Sequence, residues 1–178
     1  MTTTTTDKNS IASFQDLVNL LESDGVPHQS DVAGMMVQIP TQRGSLDSVM
    51  LIRWQKDDGV IQFIQALPLT VPDDKLAAAV DAVTRLNHVL AIPGFDVNHE
   101  RKLLAYRLYL PIHPRGAVTA VEVQAMFSLA VKSASELLPV LARVVAGQIK
   151  PEEVVADAQQ EYAKQAAPTP AAPASNMY

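Results

Sequence analysis

Apolar side chains at Ile11, Phe14, Leu17, Val18 and Leu21 recur at helical spacing and predict an amphipathic helix over residues 10–23. Ser10 is its expected N-cap, and Gly25 and Pro27 end it. The pattern then changes to one of strand formers: Val32 to Ile39, stopping at Pro40, and Leu46 to Gln55 with Val49, Met50, Leu51, Ile52 and Trp54. Lys56-Asp57-Asp58-Gly59 is a tight-turn sequence, so Val60 to Leu67 is expected to return antiparallel to the strand before it. Pro72 with Asp73 and Asp74 opens a second helix, because proline needs no donor there and acids complement the positive end of the helix dipole. That helix is predicted to run to about Ala91 with Leu76, Val80, Val83 and Leu90 as its stripe, until Pro93-Gly94 stops it.

Phe95 to Val97 reads as a short strand, Asn98 to Arg101 as a turn, and Lys102 to Ile112 as a long strand with Leu104, Tyr106, Leu108 and Leu110 on one face. Pro111, Pro114 and Gly116 separate it from a helix over Thr119 to Ala146. This last helix carries only Glu122, Lys132, Glu136 and Arg143 as charges, and apolar groups circle much of its length, which implies two buried faces. Pro139 is expected to kink it or to start a second helix. After Gly147, Pro151-Glu152-Glu153 opens a shorter helix with Val154, Val155, Ala158 and Tyr162 on one side. The expected architecture is α+β in the order α-β-β-β-α-β-β-α, an antiparallel sheet packed with helices, plus a C-terminal helical extension. One domain over residues 10–164 (extension 147–164) lies between a disordered tail, 1–9, and a flexible Pro/Ala-rich tail, 165–178.

Composition adds exclusions. Charged residues are 19% of the chain, below the roughly 25% of an average soluble domain. The charge deficit lies chiefly in the last long helix and in strands apolar on both faces, which turns it from a matter of solubility into one of association. A net charge of −5 argues against nucleic acid and anionic membranes as partners. With no cysteine there is no thiolate catalysis and no Cys-ligated zinc. Met1 to Lys8 is followed by no apolar signal core, which makes the cytoplasm the default location.

Candidate chemistry is thin. His28, His88, His99 and His113 lack metal-ligand spacing, and no GxSxG, Walker loop or GxGxxG occurs, so no metal, cofactor or catalytic residue is expected. Asn87 falls on the buried stripe of its helix, where an amide must find partners; a structural hydrogen bond to the loop around Ile92 to Phe95 is the favoured use. Arg53 and Arg107 alternate with apolar neighbours, so one sheet face is expected to be mixed, and Arg53, Trp54, Phe63, Arg107 and Tyr109 are the candidates for a partner surface on it.

The stretch from Val71 to Gly147 carries a family resemblance. A helix opened by proline and acids, Asn87 followed by Ile92-Pro93-Gly94-Phe95-Asp96-Val97, then Leu104-Ala105-Tyr106-Arg107 and Leu110-Pro111, and an apolar helix with Leu138-Pro139 ending at Gly147 together resemble the YbjN-like family. The resemblance covers residues 10–147, most clearly 46–147. It implies a fold similar to the type III secretion chaperones. It also implies a non-enzymatic protein that homodimerises and acts as a chaperone-like or regulatory adaptor, as expected of bacterial sensory-transduction regulators. Its partner would be another protein, such as a sensor kinase or chaperone client. Combined with the charge-poor helix, this places Met126, Leu129, Leu137, Val140, Leu141 and Val144 at the expected dimer or partner interface. The competing class is an enzyme or small-ligand receptor with a pocket between sheet and helices, using Asn87, Arg107 and His113; no motif stands behind it.

Overall fold

The computed structural model describes residues 10–166; the tail expected at 1–9 falls outside them, as does the tail expected at 165–178 except for Gln165 and Ala166, which belong to the last helix. The elements are β1 (Ser10–Ile11), α1 (Phe14–Ser23), β2 (Gln29–Asp31), β3 (Met36–Arg43), β4 (Leu46–Gln55), β5 (Val60–Thr70), α2 (Leu76–Val89), β6 (Phe95–Asn98), β7 (Leu103–Pro111), β8 (Val118–Thr119), α3 (Ala120–Val145) and α4 (Val154–Ala166). Short 3-10 turns, Asp73–Lys75 and Pro151–Glu153, lead into α2 and α4. The class is α+β with antiparallel sheets and four helices, and it contains three short strands, β1, β2 and β8, that the expected order lacked.

A six-stranded antiparallel sheet runs β2-β3-β4-β5-β7-β6, while β1 and β8 form a separate pair. That pair explains where α1 begins. Ser10 is committed to pairing with Thr119, so the cap is Ser13 instead, whose hydroxyl accepts from the Asp16 backbone N–H. Pro40 does not stop β3; it sits beyond the reach of β2, which pairs only with residues 36–38, so its missing N–H lies on an edge. Val32 to Met35 form the turn between β2 and β3 rather than strand. The Asp58-Gly59 turn forms as expected, Gly59 adopting φ +65°, and an added Cβ there would collide with the His113 ring.

Strand alternation sends one set of residues toward the helices. Val37, Ile52, Phe63 and Leu108 lie side by side across β3, β4, β5 and β7, and Ile39, Met50, Gln65 and Tyr106 form the next row. All are buried. Against them pack Leu17, Val18 and Leu21 of α1 and the buried face of α3. The α2 core stripe is Ala79, Ala82, Val83 and Leu86, whereas Leu76, Val80 and Leu90 are only half-buried. Small residues let α2 approach its neighbours closely, so size was a poor guide to which face turns inward.

Helix α3 is capped by a reciprocal pair, Thr119 and Glu122, and is continuous through Pro139. It has the length and mean hydropathy, 1.3 over its most apolar window, of a membrane span. Its C-terminal half, however, is taken up by this chain's own core: α3 meets β5 and β7 on one side and α2 and α4 on the other. Arg143 of α3 holds α4 by donating from Nε and a terminal nitrogen to Asp157, at 2.8 and 2.5 Å. Val154 and Ala158 of α4 are buried.

Candidate functional site: the open face of the sheet

The residues of opposite parity form the second face of the sheet, and no helix of the described residues contributes to it. Met36, Arg53, Gln62 and Tyr109 lie in one row across β3, β4, β5 and β7; Gln38, Leu51, Ile64 and Arg107 in the next; Pro40 and Val49 lead into a third with Ala66 and Ala105. Exposed large apolar groups collect here: Tyr109 is 54% exposed, Leu103 40% and Val49 37%. Ile64 is buried yet stands apart from the main core cluster, because its cover comes from its flanking neighbours Leu51 and Arg107 on this face.

Polar groups on the face are mostly occupied with one another. Gln62 donates from Nε2 to the Tyr109 hydroxyl at 2.8 Å, and Arg107 donates from Nε to Asp96 at 2.7 Å. Arg53 and Asp47, at opposite ends of the exposed side of β4, make no ion pair among the described residues. The arrangement is a flat, mixed surface with an apolar middle, suited to contact with another macromolecule rather than to enclosing a small one.

The sequence-derived partner surface therefore divides. Arg53, Arg107 and Tyr109 share the open face, but Trp54 and Phe63 are buried on the helix side. Adjacent residues of a strand point to opposite faces, so Arg53 and Trp54 were never able to act together. The helical interface set needs a larger correction. Leu137, Val140, Leu141 and Val144 are fully or almost fully buried within the chain and offer no surface to another molecule; Met126 and Leu129 are half-buried beside the core. Two buried faces on α3 are met by the sheet and by α2 with α4, not by a second molecule.

Asn87 closes the connection from α2 to β6. It donates from Nδ2 to the Phe95 carbonyl at 2.8 Å, and its Oδ1 accepts from the N–H groups of Gly94 and Phe95 at 3.1 and 3.0 Å. Gly94 comes so close to β7 that an added Cβ would lie 2.5 Å from the Arg107 carbonyl oxygen. Asn87 and Arg107 border one shallow hollow, but His113 lies at the far end of β7 against Gly59, so the three nominal pocket residues do not converge.

A separate apolar cleft of about 110 Å³ lies between α1 and α3 over Ile39 and Ile52, where Gln124 donates to Asp24 at 3.0 Å. Gln65, which sequence reasoning passed over, is a buried amide on the helix side that donates to Thr41 at 3.0 Å, while its Oε1 has no partner among the described residues. A glutamine between apolar neighbours in a strand carries no signal of burial.

Titration behaviour is perturbed away from the open face. Burial raises the Tyr106 hydroxyl above its ordinary value, opposed by a hydrogen bond with Ser133. Burial also raises Tyr162, reinforced by the charges of Glu136 and Tyr106. Glu122 is lowered to about 2, chiefly by the Thr119 backbone N–H and then by Arg115 and the Thr119 hydroxyl. Among the described residues no cluster of three metal-ligating side chains occurs.

Comparison with known families supplies the class of the protein. The family model YbjN, described as "Putative bacterial sensory transduction regulator", matches residues 15–143. The chain belongs to the YbjN family. No curated protein matches it in sequence.

Proposed function

We propose that the chain is a non-enzymatic, chaperone-like or regulatory adaptor of the bacterial cytoplasm that homodimerises and binds another protein in signal transduction or stress response, without a cofactor. The family assignment supports the regulatory role. The observation that carries the binding role is the open sheet face, where Tyr109, Leu103 and Val49 remain exposed around the buried Ile64. Every other large apolar surface of the sheet is covered by this chain's own helices. The alternative of a small-ligand receptor finds less support: the hollow beside Asn87 and Arg107, about 510 Å³, is wide open to solvent and His113 does not reach it, while the more enclosed α1–α3 cleft holds only about 110 Å³.

Capture from a native host tests this reading. Full-length protein, its Tyr109→Asp variant and a version ending at Lys164 serve as baits under cross-linking, followed by titration of the purified partner. One protein retained by the first bait, lost with Tyr109→Asp and rebound in purified form is the expected result. If no protein distinguishes the Tyr109→Asp bait from the natural one, the open face is not the binding surface. The truncated bait reports whether residues beyond Lys164 contribute.

A further inference from the structure

The open face is self-complementary in charge. On the exposed side of β4 the order is Asp47, Val49, Leu51, Arg53, an acid and a base flanking two apolar residues and equally spaced about the level of Met50. Across β3, β4, β5 and β7 these are the two charges of the face that lack an ion-pair partner among the described residues, since Arg107 is neutralised by Asp96. Six residues of strand separate them, about 20 Å.

We propose that this face docks against the same face of a second copy, with the two-fold axis midway between the two sheets, parallel to them, perpendicular to the strands and passing over β4 at the level of Met50. The inference rests on the homodimer in the reading above. Rotation about that axis lays β4 antiparallel over its counterpart. Arg53 then meets Asp47 of the second copy and Asp47 meets its Arg53, so both charges find partners at once, as an isologous interface requires. The apolar positions match as well. Val49 faces Leu51, and on β5 Ile64 faces Ala66, because register places Ile64 beside Leu51 and Gln65 beside Met50. On β7 the exposed Tyr109 comes over the exposed Leu103 of the other copy. Face-to-face sheets pack about 10 Å apart with strands within about 30° of alignment, which this arrangement satisfies. An axis running along the strands instead would place each charge at the level of its own kind and leave both unmatched.

Charge exchange tests the geometry without touching the core, since Arg53 and Asp47 are both exposed. Sedimentation equilibrium of the full chain is expected to show a dimer. Arg53→Glu and Asp47→Arg, each placing two like-charge contacts in the interface, are expected to weaken it by about a hundredfold. An equimolar mixture of the two variants restores complementary contacts at both positions, and so does the double variant in one chain; both are expected to dimerise again. Circular dichroism confirms that each variant is folded. A natural chain that stays monomeric across the concentration series overturns the homodimer and this geometry with it. A dimer indifferent to both substitutions overturns the geometry alone, leaving dimerisation through another surface. Variants that dissociate but do not recover on mixing overturn the pairing of Arg53 with Asp47.

Discussion

Replacing Asn87 by alanine removes three hydrogen bonds at one stroke: two accepted from the N–H groups of Gly94 and Phe95, and one donated to the Phe95 carbonyl. At a net value of about 1 kcal/mol each, the variant is expected to lose about 3 kcal/mol of stability. For a chain of this size that is a fall of roughly 6–12 °C in Tm. Asn87→Asp separates the contributions. The carboxylate keeps both acceptor bonds but loses the donor and sets a negative oxygen against the Phe95 carbonyl, so an intermediate loss of about 1–2 kcal/mol is expected. Urea denaturation with an unchanged m-value reads both differences directly. A loss below about 0.5 kcal/mol for Asn87→Ala would mean that water replaces the amide at no cost, and an aspartate as damaging as alanine would mean that the two acceptor bonds contribute nothing.

Four further outcomes follow from the packing and the charges. Gly94→Ala forces a Cβ against the Arg107 carbonyl and the Tyr106 ring and is expected to cost about 1–3 kcal/mol by thermal denaturation; an unchanged Tm would contradict the close approach. Glu122 has its folded pKa lowered to about 2 from 4.5, so its charge contributes stability above the higher value. The gap between the natural protein and Glu122→Gln is expected to be full at neutral pH and to close as pH falls from 4.5 toward 2; a gap that widens on acidification would refute the assignment. Arg143→Met leaves Asp157 without its partner and is expected to cost about 2 kcal/mol, with hydrogen exchange accelerating in α4 while β5 and β7 stay protected. Leu141→Asp places a carboxylate in a fully buried site of α3 and is expected to abolish cooperative unfolding; a folded Leu141→Asp protein would show that this turn of α3 is not core.

Local chemistry carried most of the fold in readable form. The Asp58-Gly59 turn, the Pro-Asp-Asp helix opening and the alternation of Leu104, Tyr106, Leu108 and Leu110 each have a short-range cause, and each element formed within a few residues of where the pattern put it. What stayed hidden depended on partners distant in sequence. Ser10 lost its capping role to pairing with Thr119, over a hundred residues away. Pro40 was tolerated because β2 is too short to reach it. The stripe of α2 was misread because alanine at positions 79 and 82 has little hydrophobicity to announce a contact that its small size makes feasible.

The candidate site was legible in parity but not in sidedness. Period-two alternation already requires Arg53 and Trp54 to part company, and cross-strand register then decides that Tyr109 goes with Arg53 while Phe63 goes with Ile52. Apolar residues circling α3 correctly announce two contacts, yet hydrophobicity says only that water is excluded, not which chain excludes it. The 13 residues of α4, anchored by Asp157 on Arg143, supply the cover that a second molecule was expected to provide. With the C-terminal half of α3 enclosed by its own chain, the association implied by a charge-poor composition moves to the sheet face that no helix of the described residues covers. There Val49 and Leu51 lie between Asp47 and Arg53 on β4, with Ile64 beside Leu51 and Tyr109 in the row of Arg53, and the ordering of those two charges along a single strand converts a general expectation of dimerisation into a particular orientation.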